Sequence, residues 1–238
     1  MRHAVLFALI AISMPAAATE DGAESITYDV VRLEGKLFLA AEPDEMRMSV
    51  GDHAVSGDQL RTGSSSSATL GVPSHTTVFR LQPKTSCTLA HDRPGVLLHL
   101  ERGRLRALFG SHTGTDPRLV TTPSAVLAVR GTEYGLKVKK NGDTSIVVFD
   151  GVVEVSDPSG MNPPIRVEAG QQSRIKTGRP AKTPSPHRLT PNDWDQGRSA
   201  PSSGMGVGGP NSGSQGGASG APGAGAGGNQ GGGKKHGG

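Results

Sequence analysis

Short runs of β-favouring residues recur throughout residues 26–176 of this 238-residue chain, and Gly, Pro, Asn and Asp separate them. No window shows a sustained helical period with caps at both ends. The pattern predicts a single all-β domain, and it leaves a β-solenoid, a barrel and a sandwich-like fold open. The predicted strands are 27–33, 36–41, 68–72, 76–81, 86–89, 96–101, 104–109, 118–121, 125–129, 133–139, 144–149, 152–156, 165–168 and 172–176.

Three glycines in this region follow a polar residue between apolar alternations: Gly103, Gly142 and Gly151. Such pairs supply the positive φ that a tight hairpin needs, so each predicts a hairpin turn. The segments around Gly103 and Gly151 also resemble each other, which hints at an internal repeat.

The two ends of the chain differ from this domain. Arg2 and His3, the apolar residues 4–14 and the small residues 16–18 predict a signal peptide over residues 1–18, and hence a periplasmic or secreted protein. The apolar stretch is too short for a membrane span, and we expect none elsewhere. Residues 177–196 read as a Pro-rich linker. Of the 42 residues in 197–238, 18 are Gly, which predicts a disordered Gly-rich tail.

Charge and composition argue against several kinds of function. The net charge of +4 is small and dispersed, unlike a nucleic-acid footprint. The single cysteine, Cys87, cannot form an internal disulfide and reads as a small buried residue on a strand. The histidines have no metal-ligand spacing, and no catalytic constellation or G-x-S-x-G motif is present. We therefore expect no metal, no cofactor and no enzymatic activity.

The segment 122–138 contains the most specific motif of the chain. An apolar strand ending at Val129 runs into Arg130-Gly131-Thr132-Glu133, and apolar alternation then resumes at Tyr134. This segment closely resembles the signature of the FecR domain, a β-rich module of bacterial envelopes. Further resemblances follow in the family's order at 56–63, 67–70, 78–86, 100–108, 148–155 and 167–172, so that the likeness covers about residues 28–175. One departure is 71–76, which replaces the family's usual hairpin and predicts a reshaped turn.

The resemblance implies a fold and an association with binding and signalling. Well-known family members join a cytoplasmic anti-sigma segment and one membrane span to a periplasmic FecR domain. We expect this chain to be a stand-alone secreted FecR-domain protein without those two segments, so direct control of a sigma factor is not carried over. Arg130, Gly131, Thr132 and Glu133 form either a recognition corner or a structural brace at the end of a strand.

The sequence thus favours a non-enzymatic binding or sensory-accessory module of the bacterial cell envelope. Its expected partner is an envelope protein or a cell-wall glycan, and its oligomeric state stays open. The alternative is a structural or adhesive envelope or matrix protein whose flexible Gly-rich tail reaches outward. Removal of residues 197–238 would separate the two hypotheses, because only the adhesive role requires the tail.

Overall fold

The computed structural model describes residues 25–40, 44–90, 94–111 and 118–199, and these residues are almost entirely β. The predicted signal peptide lies outside the described residues, as does the predicted tail beyond residue 199. Within the described ranges one 3-10 turn, Pro73–His75, and one short helix, α1, Pro191–Asp195, accompany seventeen strands. The strands are β1 Thr27–Glu34, β2 Leu37–Ala40, β3 Glu45–Met48, β4 His53–Val55, β5 Gln59–Thr62, β6 Ser67–Val72, β7 Thr77–Leu81, β8 Ser86–Leu89, β9 Val96–Phe109, β10 Arg118–Thr122, β11 Ala125–Val129, β12 Glu133–Val138, β13 Thr144–Asp150, β14 Val152–Ser156, β15 Ile165–Glu168, β16 Gln171–Ile175 and β17 Ser185–Pro186.

The strands form one hydrogen-bonded network with two branches that share β9. Branch 1 has the order β4-β1-β6-β7-β9-β12-β13-β16-β17. Branch 2 has the order β3-β2-β5-β8-β9-β10-β11-β14-β15. The described pairs are antiparallel except β9 with β10. From β10 onward, successive hairpins alternate between the branches.

Strand β9 belongs to both branches because it bends at Gly103. Its first half pairs with β8 and β10, and its second half pairs with β7 and β12. Gly103 has a φ of +103°, and a Cβ there would lie 2.5 Å from the Thr85 Cα. The prediction of a hairpin at Gly103 is therefore wrong, since a positive φ here bends one strand and does not reverse the chain.

The prediction of a hairpin at Gly151 is also wrong. This glycine joins β13 of branch 1 to β14 of branch 2, and those two strands are not paired with each other. The third prediction is confirmed, because Gly142, with a φ of +80°, lies in the turn that joins the paired strands β12 and β13. Gly103 and Gly151 thus perform the same task, which is to carry the chain from one branch to the other.

One hydrophobic core takes its side chains from both branches. Tyr28, Phe79 and Leu136 of branch 1 and Leu127 and Val155 of branch 2 all belong to the same buried cluster. A buried hydrogen bond crosses between the branches, from the Tyr28 hydroxyl to the Leu97 carbonyl at 2.5 Å. The period-two alternation that predicted strands is thus the alternation between this core and the outer faces.

Three further expectations concern local structure. Cys87 is fully buried as predicted, and burial, together with the nearby Glu101, raises the pKa of its thiol. The reshaped turn predicted at 71–76 is the 3-10 turn, which ends at Thr76 in a left-handed conformation with a φ of 47°. The segment predicted as a linker, residues 177–196, differs from its prediction, because it contains β17 and α1 and buries Trp194.

Candidate functional site

Residues 177–199, which we name the strap, return along branch 1 after the last long strand. The two-residue β17 pairs with β16, and α1 begins after Thr190. The Thr190 hydroxyl accepts a hydrogen bond from the Asp193 amide, and the Asp193 carboxylate accepts one from the Thr190 amide. Pro191 occupies the first turn. This capping box holds a helix of only five residues in shape and presents the next two side chains to the sheet.

Trp194 of the strap lies on the outer face of branch 1. It is 1% exposed, yet it is not part of the core cluster. Its indole N–H donates to the Leu105 carbonyl at 2.9 Å, and the Arg104 guanidinium lies 4.0 Å from the ring centre. The ring covers Gly135, where a Cβ would come within 2.4 Å of it. Gly135 therefore makes the room that the indole fills, and Arg104 adds a cation–π contact.

Asp195, the next residue, is held by side chains of β7, β9 and the turn after β7. Its carboxylate accepts hydrogen bonds from Arg80 at 2.8 Å, Gln82 at 3.1 Å and Arg106 at 3.2 Å. Arg106 also pairs with Glu133 of β12. Burial lowers the pKa of Arg106, but its bonds to Glu133 and Asp195 outweigh burial and raise it. The carboxylate side chain is only 8% exposed, so these charge-assisted bonds are largely shielded from water.

Arg104 bears a strongly desolvated charge at the same face. Burial is the main cause that lowers the pKa of its guanidinium, and the Asp195 charge partly offsets it. Its Nη2 donates to the Arg198 carbonyl and to the Ser199 hydroxyl at 2.8 Å, so the strap satisfies it beyond the indole contact. Its Nε is buried without a hydrogen-bond partner among the described residues.

The signature corner, Arg130, Gly131, Thr132 and Glu133, forms the passage from β11 in branch 2 to β12 in branch 1. Gly131 has a φ of +58°, Thr132 is 2% exposed, and the Thr132 carbonyl accepts a bond from the Phe109 amide at 2.9 Å. Gly151, the other passage between branches, lies against this corner, since a Cβ there would meet the Gly131 oxygen at 2.6 Å. Two motifs far apart in sequence thus meet in space, in agreement with a bracing role for the corner.

Glu133 connects this corner to the strap. Its carboxylate accepts a hydrogen bond from the Arg106 guanidinium at 2.5 Å. Arg106 in turn reaches Asp195 at 2.9 Å. Arg130 is exposed beside this network. Glu133 thereby takes part in an ion-pair network that includes the strap.

A second feature, which we name the cationic cleft, opens where β9 crosses between the branches. It has a volume of about 570 Å³ and is lined by Arg61, Thr62, Gly63, Ser64, Lys84, Arg102, Gly103, Val138, Lys139 and Lys140. Five of these residues are cations, and none of the lining residues that the structure describes is a carboxylate. Arg61 is paired with Glu45 at 2.5 Å. Within the described parts of the chain, the exposed side chains of Lys84, Arg102, Lys139 and Lys140 form no ion pair.

Buried hydrogen bonds hold the floor of the cleft together. The Thr62 hydroxyl donates to the Gln82 carbonyl at 2.6 Å and accepts from the Thr85 amide at 2.9 Å. The Thr85 hydroxyl in turn donates to the Arg104 carbonyl at 3.0 Å. The long cationic side chains around this floor can adapt to ligands of different shape, so the cleft selects for negative charge.

Sequence reasoning missed both the strap contacts and the cleft. The strap did carry a signal: a Thr-Pro-x-Asp capping sequence directly precedes the only tryptophan of the chain. The cleft carried none, because its cations come from four separate turns and strands. In the described ranges no cluster of His, Cys, Asp and Glu could hold a metal ion, and no helix there is long and apolar enough to cross a membrane.

Comparisons with known proteins show what the domain is similar to. The family described as FecR protein matches residues 58–154. Two crystal structures of a candidate anti-sigma factor from Parabacteroides distasonis ATCC 8503, at 1.65 Å and 2.50 Å resolution, are similar at 18% identity with a TM-score of 0.45. Each match covers 54% of this chain and 59% of that protein, so the chain spans well under two thirds of it. No curated protein matches the sequence. The residues that match the FecR family thus run from β5 into β14.

Proposed function

We propose that this protein is a non-catalytic binding module of the bacterial cell envelope, periplasmic or secreted, that recognises an anionic group on an envelope protein or a cell-wall glycan. The FecR domain supports a regulatory or sensory role without catalysis. The nature of the ligand and the compartment are proposals that rest on the cleft and on the sequence of residues 1–18.

The observation that carries the proposal is the cationic cleft. Four cations that pair with no carboxylate among the described residues surround one open volume at the crossover of β9, and none of its described lining residues is acidic. Like charges so close together raise the free energy of the unliganded protein, and an anionic ligand relieves that repulsion. An open cleft also accommodates a segment of a polymer chain. Acidic protein segments and anionic glycans are both polymers of this kind.

The signature corner contributes in a different way. Its described contacts support a brace between the branches, with Glu133 tied to Arg106. A direct recognition role for Arg130, Gly131, Thr132 and Glu133 stays a prediction, and exchange of Arg130 for Gln tests it. The adhesive alternative depends on residues 197–238, which lie outside the described residues.

The test is photo-crosslinking in cells from Lys139 and Lys140 at the rim of the cleft, followed by mass spectrometry of the adducts. A photoreactive residue at Met161, which is 84% exposed and remote in sequence, serves as the control position. We expect one dominant envelope protein, or enrichment of cell-wall glycan, from the cleft positions and not from Met161.

Charge reversal then separates the cleft from general electrostatics. The double variant Lys139→Glu/Lys140→Glu should abolish the adduct formed from a reporter at Lys84. The control Arg47→Glu/Arg166→Glu changes net charge equally at exposed positions of β3 and β15 and should leave it intact. An adduct that survives the first variant, or is lost in both, contradicts the cleft as the recognition site. Loss of function on removal of residues 197–238 alone would favour the adhesive role.

A further inference from the structure

The strap binds the domain as a ligand would, on a surface and not within the core. Trp194 is buried against the outer face of branch 1 and is absent from the core cluster between the branches. Its contacts are directional: a hydrogen bond to the Leu105 carbonyl, the face of Arg104, and the space above Gly135. Each of these groups belongs to the sheet and would be present without the strap.

The sheet face offers matched chemistry for two adjacent side chains. Gly135 and Arg104 form an aromatic slot, and Arg80 and Arg106 form an anion clamp directly beside it. Arg80, Arg106 and Gly135 lie in register on three neighbouring strands, which places slot and clamp in one row. An aromatic residue followed by a carboxylate fits this row, and Trp194-Asp195 is such a pair.

Without the strap, this face would carry an uncompensated positive charge. Asp195 pairs with both Arg80 and Arg106. Without it, Arg106 would keep its pair with Glu133, and Arg80 would lose the ion pair described for it. Arg104 would lose both the indole and its hydrogen bonds to Arg198 and Ser199. A desolvated arginine pair beside an open aromatic slot is the composition of a binding hot spot.

We propose that this face, the strap slot, is a recognition site for a protein segment that carries an aromatic side chain followed directly by a carboxylate. Trp194 and Asp195 occupy the slot as an internal ligand, and a partner segment of the same chemistry displaces them. Because the strap is covalently attached, its effective concentration at the slot is on the order of 1 mM. A partner segment therefore needs a dissociation constant well below this concentration, or it must be held close to the slot by another contact. The strap thereby sets the threshold for partner binding.

This inference goes beyond the anionic ligand of the cleft. The slot and the cleft share no lining residue. The Lys139→Glu/Lys140→Glu variant should therefore leave binding at the slot within about twofold, so failure of one proposal does not imply failure of the other.

The test supplies the internal ligand in trans. The full chain with Trp194→Ala/Asp195→Ala retains the slot, and it contains no tryptophan. A synthetic peptide of residues 187–199 then provides the only indole fluorescence. We expect the peptide's indole emission to shift to the blue when the peptide binds this variant. Its affinity for the variant should be at least about tenfold higher than for the wild-type chain, because the strap competes in the wild type. Binding to the wild-type chain is measured by the anisotropy of a dye-labelled peptide.

Two matched controls define the chemistry. The same dye-labelled peptide carrying Trp194→Ala should not bind by anisotropy. Adding Gly135→Val to the strap variant should abolish binding of the native peptide, because the new side chain fills the slot. The proposal is overturned if the folded strap variant does not bind the peptide, if the Trp194→Ala peptide binds equally well, or if loss of the strap contacts destroys cooperative unfolding of the domain. The last result would make the strap part of the fold and not a ligand.

Discussion

The outer faces of the two branches are built from similar antiparallel strands, but they differ in what covers them. On branch 1, α1 lies over β9 and β12, and the face consists of Arg104, Arg106 and Gly135. On branch 2, the outward residues of β10 and β11, such as Leu119 and Ala128, are half-buried, and the helix described for the chain does not cover them. Gly135 on branch 1 has no side chain and leaves space for the indole, whereas the methyl group of Ala128 takes up space on branch 2. The difference shows that a sheet face becomes a binding site through the absence of a side chain as much as through its presence.

The largest effect should come from filling the space on branch 1. Gly135→Val places atoms where the Trp194 ring lies, so the strap should detach and the chain should lose about 2–4 kcal/mol of stability, as for loss of a buried aromatic. Ala128→Val on branch 2 is the matched control and should change stability by less than about 0.5 kcal/mol. Urea unfolding followed by circular dichroism measures both. Equal effects at the two positions would erase the proposed difference between the faces.

The next effect should come from the anion clamp. Asp195→Asn retains shape and removes the charge that Arg80 and Arg106 share, at a cost of about 1–2 kcal/mol for charge-assisted bonds that are largely shielded. Glu154→Gln on branch 2 changes an exposed carboxylate opposite Arg166 and should cost less than about 0.5 kcal/mol. The same unfolding measurement compares them. A negligible effect of Asp195→Asn would show that the clamp is loose.

A smaller effect is expected at Arg104. Arg104→Met keeps much of the packing beneath the indole and removes the cation–π contact and the bonds to Arg198 and Ser199, at a cost of about 1 kcal/mol. Trp194 emission reports the strap directly, since it is the only tryptophan. We expect a red shift at lower urea concentration than that at which the sheet unfolds. Coincident transitions would mean that strap and sheet unfold as one unit.

The smallest effect should be the response to acid, which compares the strap with a loop of branch 2. Bonds from the Thr190 amide and hydroxyl are the main cause that lowers the pKa of Asp193 from 3.8, with Arg198 adding to it. Bonds from Ser159 and Asn162 lower the pKa of Asp157 to about 2. Both carboxylates stabilise the folded state above their unfolded pKa, and this contribution is lost as pH falls through the lowered value. Trp194 emission should therefore shift to the red as pH decreases below 3.8.

A substitution isolates the acid response of the strap. Asp193→Asn should remove most of the pH dependence of Trp194 emission, and Asp157→Asn should leave it unchanged. A response that persists in Asp193→Asn would place the titrating group elsewhere in the strap.

Much of the β pattern could be predicted from the sequence, and the exceptions have identifiable causes. The predictions at 86–89, 125–129, 152–156 and 165–168 coincide with β8, β11, β14 and β15. In contrast, β3 was missed because three of its four residues are exposed, and its pairing with β2 defines it. Strand β9 was predicted as two strands, because a glycine with positive φ serves a hairpin and a crossover equally well.

The candidate site was predictable only where a motif is local. The signature at Arg130, Gly131, Thr132 and Glu133 was recognised, and its place at a passage between branches agrees with a brace. The partner of Glu133 was not predictable, because Arg106 becomes its neighbour through the pairing of β9 with β12. Prolines suggested that residues 177–196 form a linker. The same prolines fit a strap whose helix begins with Pro191.

By itself the sequence determined that the chain forms an all-β domain, because period-two alternation is a local property of the backbone. Its resemblance to the FecR family was likewise visible in local motifs. The tertiary structure alone decided which strands meet, since pairing depends on where each glycine sends the chain. It also decided that Trp194 rests on Gly135 and that four cations without an ion pair among the described residues share one cleft. Contacts between residues far apart in sequence arise from register and crossover geometry, and neither is encoded in any single segment.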